Sequence, residues 1–180
     1  MLKHIPNLIT LSRLLLLPVL VYLLWTDNLV YGWYAAGVLI IIGLSDLLDG
    51  YLARRWDAVT NIGKIMDPTS DKLTVLVSIL MLMHLNRVSV ILVILIISRE
   101  LIIVSLRAVA ASDGIVIQAS EEGKRKTALQ MFGIGGLFIY YDFFGASAAY
   151  CGTTLLILSV ILSWYSGIKY IRNYYLAISR

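Results

Sequence analysis

The sequence predicts an all-α integral membrane protein with six transmembrane helices and a short N-terminal interfacial segment. Hydrophobic residues make up 59% of the 180 residues and charged residues 14%, and the mean hydropathy is +0.85. A soluble domain of this length would have too little polar surface to cover itself. No repeat, low-complexity tract or linker divides the chain, so we expect residues 1–180 to form a single domain.

Six apolar stretches give the predicted spans, because each approaches the ~20 residues that cross about 30 Å of hydrocarbon. Residues 1–7 precede them as the interfacial segment. The spans are Leu8–Trp25, Trp33 to about Leu48, about Pro68–Leu85, Val88 to about Ala111, Thr127–Tyr141 and Ala148 to about Tyr170. Polar connections separate them at Asp27–Asn28, residues 55–66, Asn86–Arg87, Ser112–Lys126 and Asp142–Ser147.

The distribution of basic residues orients these spans. Cytoplasmic loops of membrane proteins carry an excess of Lys and Arg. With the N-terminus in the cytoplasm and six spans, Arg87 is the only one of the 15 Lys and Arg residues on the far side. Five spans, or the opposite orientation, would remove this asymmetry. We therefore expect a multi-pass protein of the cell (inner) membrane with both termini in the cytoplasm.

Cysteine and histidine exclude some classes of site. The single Cys151 excludes an internal disulfide and matches no thiolate metal motif. His4 and His84 lie far apart in the sequence and form no ligand pair. No small-residue cleavage site follows the first apolar run, so we expect the N-terminal segment to be retained rather than removed as a signal peptide.

Four aspartates between residues 46 and 71 are the strongest chemical signal. Asp46 and Asp49 are spaced to share one helix face, and so are Asp67 and Asp71. Carboxylates beside apolar runs of membrane length are costly unless they are paired, bind a metal or face a wet cavity. Hard oxygen ligands of this kind suit Mg²⁺ or Mn²⁺. The sequence therefore predicts a divalent-metal site formed by two helices.

Pro68 sets the predicted start of the third helix. In the first turn its missing N–H has no cost, which makes Asp67 the cap and places Asp71 one turn into the helix. Gly50 and Ala53 share the face of the first aspartate pair. Their small size leaves room for a ligand to approach the backbone.

Basic side chains in the same stretch allow two interpretations. Arg54 follows the first aspartate pair and offers a planar cation suited to phosphate oxygens. The alternative is that the aspartates are solvated helix ends that pair with nearby basic residues, namely Arg54, Arg55, Lys64 and Lys72.

Polar residues near the start of the first span are spaced to follow one side of a helix. They are Asn7, Thr10 and Arg13. One interpretation is that they line a cavity for the headgroup of a lipid substrate. The other is interfacial anchoring, with Arg13 extending to phospholipid phosphates.

The fourth span contains charges near its middle. Arg99 and Glu100 are adjacent, and Arg107 follows eight residues after Arg99, about 80° away around the helix. Charges within a membrane usually line a pathway, which favours binding of an anionic substrate by the two arginines. The alternative is that Arg99 and Glu100 form a structural contact between helices.

A basic cluster opens the predicted fifth helix, with the sequence Gly123-Lys124-Arg125-Lys126-Thr127. A helix N-terminus carrying lysines is suited to bind phosphate. The alternative is a cluster that sets topology and contacts lipid phosphates.

The pattern Asp46-x2-Asp49-Gly50-x2-Ala53-Arg54-x8-Gly63-x3-Asp67-x3-Asp71 resembles the complete signature of the CDP-alcohol phosphotransferase family. Three further segments are similar to those of the phosphatidylglycerophosphate synthases within it: N-L-I-T-L-S-R-L-L-L-L-P, S-R-E-L-I-I-V-S-L-R and G-K-R-K-T-A-L-Q-M. The resemblance therefore extends over most of the chain. It implies the CDP-alcohol phosphotransferase fold.

The resemblance also implies a reaction: transfer of the phosphatidyl group of CDP-diacylglycerol to sn-glycerol 3-phosphate, with release of CMP, at a cytoplasmic active site in contact with membrane lipid. It implies one or two Mg²⁺ or Mn²⁺ ions on the four aspartates, with Asp71 also the catalytic base. Donor nucleotide and pyrophosphate are expected at Asp49, Gly50, Ala53, Arg54 and Gly63, and the acceptor phosphate at Arg99, Arg107, Lys124 and Lys126. A homodimer is expected, and no nucleic-acid partner.

Two kinds of alternative stay open. Within the family, the acceptor could be inositol phosphate, serine or phosphatidylglycerol, although the basic cluster disfavours uncharged and zwitterionic acceptors. Outside the family, six spans with buried acids could form a divalent-cation transporter. Such a transporter needs polar groups that continue to the far side, and in this sequence they stop in the cytoplasmic half.

Overall fold

The computed structural model describes residues 5–55, 61–113, 121–143 and 146–178. Within these ranges, the side chains of residues 5–10, 49–55, 61–65, 67–68, 121–122, 124, 143, 146 and 178 lie outside the description. The described residues form six helices, α1 (Ile5–Leu24), α2 (Leu29–Arg55), α3 (Asn61–His84), α4 (Val90–Ser112), α5 (Glu121–Ile139) and α6 (Ala148–Ile178). They also form two short strands, β1 (Asp142–Phe143) and β2 (Ala146–Ser147).

The six helices follow the six predicted apolar stretches in order. The strands are the one addition: β1 and β2 pair antiparallel between α5 and α6, with Asp142 opposite Ser147. Two residues per strand are too few to show an alternating pattern in the sequence. The prediction of an all-helical architecture with six helices is confirmed for the described residues, apart from this strand pair.

Helix α3 corrects the predicted role of Pro68. The helix begins at Asn61, well before Pro68, so Pro68 is not in the first turn and Asp67 is not the cap. Asparagine is itself favoured at helix starts. Helices of membrane proteins also tolerate an internal proline when other groups satisfy the freed carbonyl. The predicted link of residues 55–66 is therefore too long.

Helices α5 and α6 extend beyond the predicted apolar stretches. Helix α5 begins at Glu121 rather than Thr127, so the basic cluster lies inside its first turns. Helix α6 continues past Tyr170 to Ile178. Apolarity marks where hydrocarbon ends, whereas a helix keeps its internal hydrogen bonds when it continues into water.

All six helices contribute side chains to the apolar interior. Fully buried members of one cluster are Leu20 of α1, Ile79 and Leu82 of α3, Phe138 of α5 and Leu156 of α6. Close packing of such side chains fixes the spacing of the helices. The polar residues described below are positioned by this core.

Helices α5 and α6 approach each other at glycines. A Cβ atom at Gly152 would lie 2.9 Å from both the Gly133 carbonyl oxygen and the Leu137 backbone nitrogen. Small residues let two helix backbones come this close. The crossing therefore requires glycine at position 152.

Arg87 joins the ends of α2, α3 and α5 that lie farthest from the aspartates. Its Nη1 donates to the carbonyl oxygens of Leu137 at 3.0 Å and Phe138 at 2.7 Å, in the last turn of α5. Its Nη2 pairs with Asp27, and its guanidinium carbon lies 4.6 Å from the centroid of the Tyr140 ring. Arg87 thereby satisfies carbonyls that a helix end leaves without internal partners.

Apolar side chains cover much of the outer surface. Among the described residues, Leu29–Leu48 and Ala148–Ala177 are long and apolar enough to cross a membrane, and Leu11–Leu24 is a shorter apolar helix. Large exposed apolar side chains include Leu15, Leu47, Phe132, Ile161 and Ile168. Apolar surface on this scale is unusual for a protein that faces only water.

Candidate active site

A buried arginine joins the two aspartate-bearing helices. Arg13 of α1 is 1% exposed. Its Nη1 donates to Oδ1 of Asp46 at 2.7 Å and to Oδ1 of Asp71 at 3.0 Å. The first and last aspartates of the signature, which lie on α2 and α3, therefore converge on one point.

The surroundings of this cluster explain its charge balance. Helix α1 packs against both α2 and α3, which brings Arg13 to the aspartates. The side chains of Asp46 and Asp71 are 41% and 49% exposed, whereas the guanidinium is sealed. A buried guanidinium is tolerated when carboxylates compensate its charge. The alternative in which Arg13 extends to lipid phosphates is wrong, because this side chain does not reach the surface.

Other predicted site residues lie in the helices, but their side chains are outside the described part of the structure. They are Asn7 and Thr10 in α1, Asp49, Gly50, Ala53 and Arg54 in α2, Gly63 and Asp67 in α3, and Lys124 in α5. Their roles stay predictions.

A cavity of about 420 Å³ opens beside Asp71. Helices α3, α4, α5 and α6 line it, and its wall is mostly aliphatic. Its charged lining residues are Asp71, Lys72, Arg99, Glu100, Arg107 and Lys126. The structure thus brings three of the four predicted acceptor-phosphate residues to one cavity together with the predicted base.

Glu100 connects the cations of the cavity. Its Oε1 accepts a hydrogen bond from Nη1 of Arg99 at 3.0 Å and pairs with Nζ of Lys126. Nε of Arg99 donates to the carbonyl oxygen of Ser163 at 3.0 Å. One network therefore links α4, α5 and α6. Arg99 both contributes to contacts between helices and lines the cavity, so the two interpretations of this residue are compatible.

Arg107 lies on the exposed side of the same cavity. Its guanidinium carbon is 5.6 Å from the centroid of the Tyr170 ring, within the range of a cation–π contact. Such a contact orients the guanidinium plane while leaving its N–H edge available to oxygen acceptors. Tyr170 of α6 thereby positions a cation carried by α4.

Two cavity residues were not assigned to a substrate site by the sequence reasoning. Lys72 directly follows Asp71 and is half-buried. Gln130 lies one helix turn after Lys126 on α5 and is buried. The four-residue spacing from Lys126 to Gln130 is the signal that could have found Gln130, since it places both on one helix face.

Comparison with known proteins shows the family of the chain. Residues 3–166 match the family described as CDP-alcohol phosphatidyltransferase. The chain belongs to this family. The match covers most of the sequence and confirms the family that the aspartate signature predicts.

Individual relatives extend the similarity to nearly full length. The chain is similar to the CDP-diacylglycerol--glycerol-3-phosphate 3-phosphatidyltransferase of Rickettsia typhi, with 31% identity over 96% of this chain and 99% of the relative. The protein of the same name from Haemophilus influenzae is 34% identical over 94% and 92%. That of Bacillus subtilis is 34% identical over 76% and 77%.

Members of the CDP-alcohol phosphatidyltransferase family generally depend on a divalent cation. In the described part of the chain, Asp46 and Asp71 offer the hard, anionic oxygens that Mg²⁺ and Mn²⁺ prefer, so the type of ligand fits. The Oδ1 atoms of both residues accept from Nη1 of Arg13, so the guanidinium takes the point at which these two oxygens meet. No group of three or more His, Cys, Asp or Glu side chains forms a metal site among the described residues. The other two predicted ligands, Asp49 and Asp67, have side chains outside that description.

A lipid-biosynthetic family and two helices of membrane-spanning length together indicate a membrane protein. The exposed apolar side chains are in keeping with this, because hydrocarbon rather than water can then cover them.

Proposed function

We propose that this protein transfers the phosphatidyl group of CDP-diacylglycerol to sn-glycerol 3-phosphate, giving phosphatidylglycerophosphate and CMP. The observation that carries the proposal is the single cavity that joins Asp71 to cations from three helices, Lys72 of α3, Arg99 and Arg107 of α4, and Lys126 of α5. An anionic acceptor bound by these cations has its hydroxyl group close to the aspartates. The relatives are named CDP-diacylglycerol--glycerol-3-phosphate 3-phosphatidyltransferase, which supports the same acceptor.

The aspartates and the donor form one half of the proposed site. Asp46, Asp49, Asp67 and Asp71 would hold one or two Mg²⁺ or Mn²⁺ ions. When bound, the divalent ion neutralises charge on the donor pyrophosphate and on the departing CMP. Arg54 contacts the donor phosphates, and the small residues of the signature, Gly50, Ala53 and Gly63, let the nucleotide approach the helix backbones.

Asp71 has a second proposed role as general base. It takes the proton of the acceptor hydroxyl as the oxygen attacks the donor phosphorus. Its place supports this role, because its partly exposed carboxylate both lines the cavity and contacts Arg13. Arg13 keeps the carboxylate at the junction between the cavity and the metal site. Asn7 and Thr10 stay candidates for contacts with the donor headgroup.

The acceptor phosphate occupies the other half of the proposed site. Arg99, Arg107 and Lys126 present donors to its oxygens, and Lys124 is the fourth predicted contact. Charge-assisted hydrogen bonds of this kind are stronger than neutral ones. Glu100 offsets part of the positive charge and holds Arg99 and Lys126 in place.

We further propose that all six helices cross the inner membrane, with both termini and the active site in the cytoplasm. The basic residues support this orientation, since Arg87 alone is predicted on the far side. The location of Arg87, at the ends of α2, α3 and α5 remote from Asp46 and Asp71, is consistent with it. A homodimer is kept as a prediction from the family resemblance.

CMP release measured with different acceptors tests the proposed reaction. The purified protein is given CDP-diacylglycerol, Mg²⁺ and either glycerol 3-phosphate, inositol phosphate, serine or phosphatidylglycerol. We expect CMP release with glycerol 3-phosphate and its loss when EDTA removes the metal. A higher rate with another acceptor contradicts the acceptor assignment but keeps the reaction class. Metal uptake into vesicles without CMP release would instead favour a divalent-cation transporter.

A further inference from the structure

Gln130 is a buried, neutral polar residue in the wall of the same cavity. It is 2% exposed and lines the cavity together with Asp71 and Lys126. On α5 it lies one turn, or about 6 Å, beyond Lys126 in the direction away from the helix start. The acceptor site proposed above gives this side chain no role.

A carboxamide in this position needs a hydrogen-bonding partner. Burying an amide without one is costly, and more so inside a membrane domain, where water is scarce. Within the described chain, the Gln130 side chain forms no hydrogen bond. The polar atoms of Gln130 are also not among the atoms of the described interior that are sealed from solvent and lack a partner. The carboxamide therefore opens onto the cavity.

The chemistry of the amide indicates what it binds. A carboxamide offers two N–H donors and one carbonyl acceptor without charge, which matches an alcohol group that both donates and accepts. The arginines and lysines of the cavity already suit the phosphate. Much of the remaining wall is aliphatic, including Val75, Ile79 and Ile103. Its other neutral polar side chains are Thr127, Ser166 and Tyr170, each with a single hydroxyl group, so Gln130 is the one carboxamide in the described lining.

We propose that Gln130 hydrogen-bonds the C2 hydroxyl of glycerol 3-phosphate and thereby selects this acceptor. The inference rests on the function proposed above. In that reaction the C3 phosphate is bound by the cations and the C1 hydroxyl attacks near Asp71, which leaves only the C2 hydroxyl without an assigned partner. Gln130 shares the cavity with both groups. A site built to bond a hydroxyl group discriminates strongly against an analogue that lacks it.

The test compares glycerol 3-phosphate with 3-hydroxypropyl phosphate, which keeps the phosphate and the attacking hydroxyl but lacks the C2 hydroxyl. For the natural sequence we expect kcat/KM to be roughly ten- to a hundredfold lower with the analogue. Gln130→Met keeps the side-chain volume and removes the hydrogen bonds. In this variant kcat/KM for glycerol 3-phosphate should fall by about the same factor. The kcat/KM for the analogue should hardly change, so the ratio of kcat/KM for glycerol 3-phosphate to that for the analogue should approach one in this variant.

Ser159→Ala is the matched control. Ser159 is also a buried polar residue, but its Oγ donates to the carbonyl oxygen of Leu156 and it does not line the cavity. The control should keep the preference of the natural sequence for glycerol 3-phosphate.

Two results would overturn the role of Gln130. The first is equal use of the two acceptors by the natural sequence, a result that needs no variant and so does not depend on whether Gln130→Met folds. The second is an equal loss with both acceptors in Gln130→Met, which is the signature of a structural role. Absence of turnover with glycerol 3-phosphate in the natural sequence would contradict the proposed function itself, so the two failures are distinguishable.

Discussion

Arg13 connects three helices at the aspartate cluster through a single side chain. A guanidinium sealed from solvent and bonded to Asp46 and Asp71 ties three helices together at the aspartate cluster. It also supplies positive charge beside carboxylates that are predicted to bind a cation. Neighbouring charges change the free energy of each other's charged form, and residues in contact do not contribute independently. Substitutions at the two aspartates should therefore have different effects.

Substitutions of Asp71 and Asp46 are predicted to affect different steps of the reaction. Asp71→Asn removes the base and one metal ligand, so turnover should be abolished while donor binding largely persists. Asp46→Asn removes a ligand without touching the base, so it should mainly weaken metal binding and raise the Mg²⁺ concentration needed for activity. Rates over a Mg²⁺ titration and CDP-diacylglycerol binding distinguish these effects. Equal loss of donor affinity in both variants would contradict a distinct role for Asp71.

Lys126 is predicted to act on the acceptor rather than the donor. It is buried in the cavity wall, whereas its neighbour Arg125 is exposed and does not line the cavity. A charge-assisted contact to phosphate is worth about 1.5–3 kcal/mol, or roughly ten- to a hundredfold in affinity. Lys126→Ala should therefore raise KM for glycerol 3-phosphate by that factor, with a smaller change in kcat and little change in KM for CDP-diacylglycerol.

Arg125→Ala is the control for this prediction. It removes one positive charge from the same helix but leaves the cavity intact, so both KM values should stay close to those of the natural sequence. If both variants raise the acceptor KM equally, the effect is one of general charge, and the specific contact of Lys126 is wrong.

The sequence could not predict which side chains on different helices contact each other. Spacing along one helix placed Arg99 and Arg107 on a common cavity, because periodicity determines which residues share a face. The contact of Arg13 with Asp46 and Asp71, and the pairing of Glu100 with Lys126, depend on how helices pack against each other. One sequence contains no direct signal for such contacts.

At the scale of helices, the apolar stretches of the sequence predicted how many helices there are and their order, but not where each helix begins and ends. The starts of α3 and α5 lie upstream of the predicted spans, at Asn61 and Glu121, because both helices contain polar turns before their apolar parts. The close crossing of α5 and α6 could have been suspected from the glycines of α5, but its partner on α6, Gly152, was not identifiable. A lone glycine in an apolar segment does not reveal which helix approaches it.

The crossing of α5 and α6 is predicted to be sensitive to one methyl group. A Cβ at Gly152 meets backbone atoms at 2.9 Å, which cannot rotate away, so Gly152→Ala must push the helices apart. Overpacking of this kind costs about 1–3 kcal/mol. The expected result is a lower Tm in detergent, together with reduced activity because α5 and α6 both line the cavity.

Gly43→Ala provides the comparison for Gly152→Ala. In the part of the chain that the structure describes, no atom beyond the adjacent backbone of α2 and the residues next to Gly43 lies within 4 Å of a Cβ at Gly43, so alanine is accommodated there. Alanine is favoured over glycine inside helices by about 0.8–1 kcal/mol, so the Tm of Gly43→Ala should stay the same or rise. A Tm for Gly152→Ala as high as that of the natural sequence would contradict the close crossing.

At the scale of the whole molecule, the candidate active-site residues and the contacts of Arg87 that join helix ends lie at opposite ends of the helices. Asp46, Asp71 and Lys126 lie toward one end, while Arg87 and Asp27 join the other. Among the described residues, the cavity with charged walls lies toward the Asp71 end, whereas a pocket beside Trp25 and Tyr31 at the other end has no charged lining residue. This asymmetry fits the proposed enzyme, which takes a soluble acceptor from one compartment. The sequence predicts that compartment to be the cytoplasm from its distribution of basic residues, and this orientation stays open to a direct test.

Cysteine labelling from either side of the membrane provides this test. In a Cys151→Ser background, Arg125→Cys and Thr26→Cys each place one exposed cysteine at an opposite end of the helices. A thiol reagent that cannot cross the membrane should label residue 26 in intact cells and residue 125 only after the membrane is opened. The reason is that translocating the basic cluster at residues 124–126 is opposed by the positive-inside rule. Labelling of residue 125 in intact cells would invert the orientation, and with it the side from which the acceptor enters the cavity.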